Sequence, residues 1–384
     1  MTEFAAMAAV RIERVTVRNP LDSFFPGYSS TGPTRNDAGE IGRGGAVRTT
    51  TSHVFSAGCA KNFTAFFELG AALRGACGGC CREYAQGQQA QPLTLLLAAA
   101  ARNNISVVLG LAWSGSAPHD AAGLASLAAL QAAVATRLYG LYGDLHSTEE
   151  SATMSTGAPR TVVGAYTEVE MNNCHSDPFN QAYVDSYLAP VSAAVAAAAK
   201  ARSGGDLDRP FVFADPYFEP RHASNSGCMN ASAYGRFWRA AFDAAPAFTL
   251  IAPQDGVGAH NLSAATVREF FDALRKGSHS ALRPRKFGAL VELFEQFPLN
   301  GSDYQPTCEH RRPAPFQRIL AQLKNEAPYV DDMEFTAWEF HSYMSPLPGP
   351  CSWAKDAAKR NRSDGLYQQY KRYVDAHVGN KVIT

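Results

Sequence analysis

The chain has 384 residues, of which 46% are hydrophobic, enough to bury a large core in one barrel or two smaller domains. Lys plus Arg and Asp plus Glu number 35 each, so the formal charge is zero, and with 18% charged residues there is no electrostatic footprint for nucleic acid or an anionic membrane. The longest apolar runs, 93–101 and 191–201, are too short and too Ala-rich to span a bilayer, and read as outer helices.

The chain opens with an ambiguous unit. A first strand fits either 10–17 or 21–25, while 19–45 is rich in Gly, Pro and Ser and has no helical period. Residues 1–46 therefore read as an irregular segment with a possible strand one, and 47–384 as a single domain. From there, apolar β-branched runs predict strands at 47–55, 105–112, 161–167, 210–214, 248–252, 287–293 and 333–340. Helical patterns lie between and after them. Leu124, Leu127, Leu130, Val134, Leu138 and Leu141 mark the first, and 179–201, 232–244, 264–274, 316–325 and 366–378 follow. Such alternation predicts an α/β fold with a parallel sheet and outer helices, a (β/α)8 TIM barrel with an irregular first unit.

Polar and aromatic clusters follow the strands. They are HVFSAGC at His53, LAWSGS around Trp113, YTEVEMNN from Tyr166, ADPYFEPRH, APQDGVGAHN, VELFEQF and AWEFHSYMSP. In a parallel barrel these ends gather at one mouth, where catalysis takes place. Glu168, Glu170, Asp215, Asp255, Glu292 and Glu295 supply carboxylates there, and Trp113, Tyr166, Tyr217, Trp338 and Tyr343 supply flat rings. Paired carboxylates with aromatic walls suit glycosyl transfer to water, because an oxocarbenium-like transition state needs a proton donor and an anionic partner.

TVVGAYTEVEMNN, FVFADPYFEP, LIAPQDGVGAHN, GALVELFEQ and EFTAWEFHSYMSP, in this order, resemble the domain of unknown function 4434 family of glycoside-hydrolase-like TIM barrels. The likeness covers roughly 47–346, and the specific part is QDGVG together with VELFE and the final Tyr-Met-Ser-Pro. It implies a glycosidase-type barrel whose substrate class is not established. The chain departs from the pattern in its N-terminal unit and at Asp215, where a small residue is expected before Pro-Tyr. In diverse retaining glycosidases on this barrel, the acid/base Glu ends strand four and the nucleophilic Glu ends strand seven. Counting back from 333–340 as strand eight gives Glu168 and Glu292 those places. Period-two alternation puts Tyr166, Glu168 and Glu170 on one side of their strand, and Leu290 and Glu292 on one side of theirs. Trp113, Tyr166, Glu170, Tyr217, Asp255, Glu295, Trp338 and Tyr343 are expected to bind substrate.

Other readings carry less. A metal-dependent hydrolase could use His175, His222, His260 and His341, but no H-x-H or H-E-x-x-H occurs, so no metal and no cofactor are expected. A non-catalytic carbohydrate-binding barrel is the main alternative, since a fold does not establish turnover. The basic stretch 275–286 reads as a solvated turn away from the mouth. The expected partner is a carbohydrate, with no nucleic acid and no membrane span; oligomeric state is not legible.

Cysteines and sequons speak to compartment. There are 8 Cys, and Asn62, Asn104, Asn230, Asn261, Asn300 and Asn361 each begin an N-x-Ser/Thr pattern, which points to the secretory route, although the N-terminus lacks an apolar signal core. Neighbouring barrel loops predict Cys174 with Cys228 and Cys308 with Cys351, leaving Cys59 to pair within Cys77, Cys80 and Cys81.

Overall fold

The structure, a computed structural model, describes residues 14–17, 106–111, 120–142, 162–167, 169–203, 211–219, 227–296, 311–331, 335–338, 343–344 and 357–377. Strands β1 (Arg14–Val17), β2 (Ser106–Gly110), β3 (Val162–Tyr166), β4 (Phe211–Ala214), β5 (Leu250–Ile251) and β6 (Lys286–Phe287) form one parallel sheet in chain order. β7 (Ala289–Glu292) continues β6 past Gly288, whose N–H donates to Ile251 O, and a bridge between Gln254 and Leu290 carries the β5 pairing forward. β7 pairs in parallel with β10 (Phe335–Trp338), so seven strand positions follow one another in sequence order. A short antiparallel hairpin, β8 (Phe294–Gln296) and β9 (Arg311–Pro313), projects beyond β7. Among the described residues no pairing joins β10 back to β1.

β1 lies within 10–17, one of the two placements expected for strand one, but its neighbour differs from the expectation. β1 is hydrogen-bonded directly to β2, in the place expected for 47–55. Residues 21–25 and 47–55 lie outside the described residues. Among the seven described positions β3 is the third and β7 belongs to the sixth; they are fourth and seventh only when β10 is numbered as strand eight, as in the sequence count.

The described connections between parallel strands are helical, the usual way to join such neighbours. α1 (Ala121–Tyr142) follows β2, and α2 (Asp177–Ala182), a π-turn (Tyr183–Leu188) and α3 (Ala189–Ser203) follow β3. α4 (Ala231–Ala244) and α5 (Ala264–His279) follow β4 and β5, and each starts at a side-chain cap: Asn230 accepts from Ala233 N and Ser263 from Thr266 N. α6 (Phe316–Glu326) precedes β10, and α7 (Ala357–His377) ends the fold. Among the described residues no helix is long and apolar enough to cross a membrane.

Alternation along the strands builds two cores. Ala165, Val212, Ala214, Ile251, Phe287, Ala289 and Val291 join the large cluster that contains the helix residues Leu124, Val191, Trp238 and Phe271. Val108, Tyr166, Leu250 and Ala252 form a separate inner cluster on the other face. Tyr166 and, by alternation, Leu290 and Glu292 thus stand on the face away from the helices, which settles the side that the sequence left open.

The basic stretch 275–286 lies at the N-terminal ends of the strands, but it is not all solvated. Arg285 is buried, its Nη2 donating to Phe242 O and its guanidinium over the Phe242 ring, because the turn folds back onto α4.

α4 and α5 touch through glycines. A Cβ on Gly277 would lie 2.2 Å from Gly235 O, and one on Gly235 would lie 2.4 Å from Ala273 O. Backbone on both sides leaves no flexible side chain to yield. Gly277→Ala is expected to lower the unfolding free energy by about 1–3 kcal/mol, the usual range for overpacking, as read by chemical denaturation.

Candidate active site

Parallel strands place all their C-terminal ends on one edge, and the polar clusters gather there. Glu292 is the last residue of β7, in register with Trp338 at the end of β10. Its side chain is 2% exposed. One carboxyl oxygen, Oε2, accepts hydrogen bonds from Gly258 N and Ala259 N, both at 2.7 Å. Those amides belong to the QDGVG turn after β5, where Gly256 adopts φ 63°, a left-handed conformation that glycine tolerates. Oε1 accepts no hydrogen bond among the described residues. Burial, then the nearby Asp255 charge, push the Glu292 carboxyl up to about 8, against the pull of the two amides and Arg311. Such a carboxyl serves as a nucleophile or base when ionised and as an acid when protonated.

Behind the turn stands α6. Asp255 accepts from Val257 N at 3.1 Å through Oδ1 and from Gln322 Nε2 through Oδ2. Burial raises its carboxyl, with those two bonds and Arg318 opposing. Arg318 donates Nη2 to Glu292 O at 3.0 Å and to Phe294 O, which fixes the backbone on both sides of Leu293. Arg318, Gln322 and Glu326 recur every four residues, so one helical stripe faces the end of β7.

A second group lies over the ends of β3 and β4. Asn173 accepts from Glu219 N at 2.8 Å and donates to Glu219 O and Met229 O. The half-buried ring of Tyr217 stacks on His260 at 6.3 Å, and its hydroxyl accepts from Asn172 Nδ2 at 2.7 Å. Burial lowers the His260 imidazole, favouring its neutral form. Cys174 and Cys228 form a disulfide beside this group, with Cα atoms 4.0 Å apart, as the neighbouring-loop argument predicts. Cys59, Cys77, Cys80, Cys81, Cys308 and Cys351 lie outside the described residues. Replacing both Cys174 and Cys228 by Ser is expected to cost about 2–4 kcal/mol of unfolding free energy, measured by denaturation with and without reductant.

Several expected substrate contacts are placed differently. Tyr166 is 1% exposed in the inner core, its hydroxyl donating to Asp215 Oδ2 at 2.7 Å. Asp215, the departure from the family pattern, also accepts from Gln254 Nε2 at 3.3 Å and so joins β3, β4 and the β5 loop. Asp255 is fully buried and engaged by the turn and α6, so it faces the helix rather than the mouth. Tyr343 packs against the Phe294 ring with 2% exposure. Glu295 is ion-paired with Arg312 across the β8–β9 hairpin. Tyr217 and Glu170 remain half-buried near the strand ends. Glu168 and Trp113 lie outside the described residues, as does the side chain of Trp338. The sequence reading missed Gln322, Arg318, Glu326 and Asn173. The helical three carried a signal, since Gln322 and Glu326 adjoin Ile319 and Leu323 on the core-facing stripe of α6.

A family described as domain of unknown function (DUF4434) matches residues 81–350, most of the chain. The chain belongs to the DUF4434 family. Among solved structures, a "putative alpha-L-fucosidase" from Bacteroides thetaiotaomicron shares the fold at a TM-score of 0.52 and 17% identity, over 76% of this chain and 74% of that one. No curated protein matches in sequence. In this DUF4434 chain the QDGVG turn and the VELFE strand, separated by α5 in sequence, meet at Glu292.

Proposed function

We propose that this chain is a retaining glycoside hydrolase on a (β/α)8 barrel, with Glu292 as nucleophile and Glu168 as acid/base. The observation that carries the reading is the Glu292 carboxyl: at the C-terminal end of a strand, on the face away from the helices, held through one oxygen by two backbone amides, with the other oxygen free of such bonds among the described residues. A nucleophile needs that asymmetry, one atom fixed and one available. Glu292 would attack the anomeric carbon as Glu168 protonates the departing oxygen, and Glu168 would then deprotonate the water that releases the sugar. Tyr217 with His260, Glu170, Trp113 and Trp338 would form the wall and the hydroxyl contacts. The fold likeness to a protein described as a fucosidase supports a carbohydrate substrate, and makes an α-L-fucoside one of the first compounds to try. The Cys174–Cys228 bridge and the six sequons support a secretory location.

One observation favours a second reading, a silent carbohydrate-binding barrel: burial and Asp255 keep a proton on Glu292 at neutral pH, and a protonated carboxyl does not attack. A panel of aryl glycosides and polysaccharides separates the two, with Glu168→Gln and Glu292→Gln as controls. Hydrolysis by the wild type that both variants lose supports the enzyme; saturable binding without hydrolysis supports the alternative.

A further inference from the structure

Glu326 is fully buried on α6, and neither of its carboxyl oxygens meets a hydrogen-bond donor. An ionised carboxylate in such a place costs far more free energy than one that keeps its proton. Its neighbour is Asp255, whose Oδ2 accepts from Gln322 one turn earlier on the same stripe of α6, so the two buried carboxyls share one side of the helix. Two carboxylates have no proton to share, whereas one carboxylic acid and one carboxylate do. Donors decide which keeps it. Asp255 already accepts from Val257 N and Gln322 Nε2 and has Arg318 nearby, so the charge is better placed there. The other acidic group facing the pair is Glu292.

We propose that Glu326 stays protonated and donates its O–H to Asp255, making it a positioning residue that fixes the 255–259 turn and hence the two amides on Glu292. Asp255 is the hinge of this arrangement. One oxygen ties down Val257 N, immediately before the two amide donors, and the carboxyl is anchored from behind by α6. Without the Glu326 proton, Asp255 and Glu326 would repel, and the turn would lose its fixed seat. The consequence for turnover rests on the glycosidase reading; the proton and the turn do not.

Infrared spectroscopy of the full chain at neutral pH reads the proton directly. The wild type should show carboxylic-acid carbonyl absorption from Glu292 and from Glu326, and Glu326→Gln should remove the Glu326 part while Glu292→Gln removes the other. Amide exchange followed by mass spectrometry reads the turn: Glu326→Leu, which cannot donate, should speed exchange at Gly258 and Ala259 about tenfold or more, the loss of one hydrogen bond to a charged group. Glu326→Gln, whose amide can donate, should restore protection. In an active enzyme kcat should follow the same order, with KM unchanged. Absence of the Glu326-dependent band, or full protection of both amides in Glu326→Leu, overturns the proposal. If Glu326→Leu does not fold, the band decides alone. Absence of wild-type turnover on every glycoside would count against the glycosidase reading only, since band and exchange are read without substrate.

Discussion

Glu292→Gln is expected to reduce turnover by a factor of hundreds or more while leaving the fold intact, the usual scale for removing a positioned catalytic carboxyl. The amide of Gln can still accept from Gly258 N and Ala259 N through its oxygen, so the turn keeps its partner. Only the charge and the nucleophilic atom are lost. The same substitution has a pH signature. Above the ordinary value of 4.5 the unfolded chain releases the Glu292 proton, while the folded chain holds it up to about 8. Because the native state binds more protons in that window, wild-type stability falls as pH rises through it and levels off above it. Glu292→Gln has no proton to release, so it should gain stability relative to wild type between those two values. Parallel denaturation curves at several pH values check this. In the active enzyme kcat/KM should rise with pH towards about 8, because attack needs the ionised form. A falling limb at that position would assign Glu292 the role of acid instead.

Gly258→Ala should be nearly as damaging to activity, by a different route. A Cβ there would lie 2.2 Å from Phe294 O and 3.0 Å from both Cβ and Oε2 of Glu292. Phe294 O is held by Arg318, and Gln296 N donates to Gly258 O, so neither backbone can retreat cheaply. The turn must shift away, and the amides of Gly258 and Ala259 leave the carboxylate. Above about pH 8, where Glu292 is ionised, hydrogen bonds to it contribute about 1.5–3 kcal/mol each, so losing even one is expected there to lower the melting temperature measurably and kcat by tenfold or more. Thermal denaturation and steady-state kinetics on one preparation test both effects. Wild-type values for both would mean that the two amides do not organise Glu292.

The parallel α/β plan was legible because each strand is a short β-branched run and each long helix an amphipathic or Ala-rich one. Helices expected at 179–201, 232–244 and 264–274 occur at Asp177–Ser203, Ala231–Ala244 and Ala264–His279. The first unit was legible in part. β1 falls inside 10–17, one of the two placements the sequence allowed for strand one, and its pairing with β2 marks it as a strand. Glu292 was placed at a strand end from order along the chain, and the Cys174–Cys228 bridge was predicted from loop adjacency. Asp255 was misplaced because a polar residue after a strand can face either the mouth or the underlying helix, and Tyr166 because a strand-end ring can pack on its neighbouring strands instead of the mouth; local sequence does not say which. The stripe on α6 was passed over for the same reason: Gln322 and Glu326 look like surface residues until tertiary packing buries them.

The central claim is that Glu292 forms a covalent bond with sugar. Incubation with a set of 2-fluoro glycosyl fluorides, an L-fucosyl derivative included, followed by intact-mass and peptide analysis, tests it most directly. The account predicts a single glycosyl adduct on Glu292, absent in Glu292→Gln. An adduct on another carboxylate, or steady hydrolysis with none trapped and unchanged activity in Glu292→Gln, would contradict it.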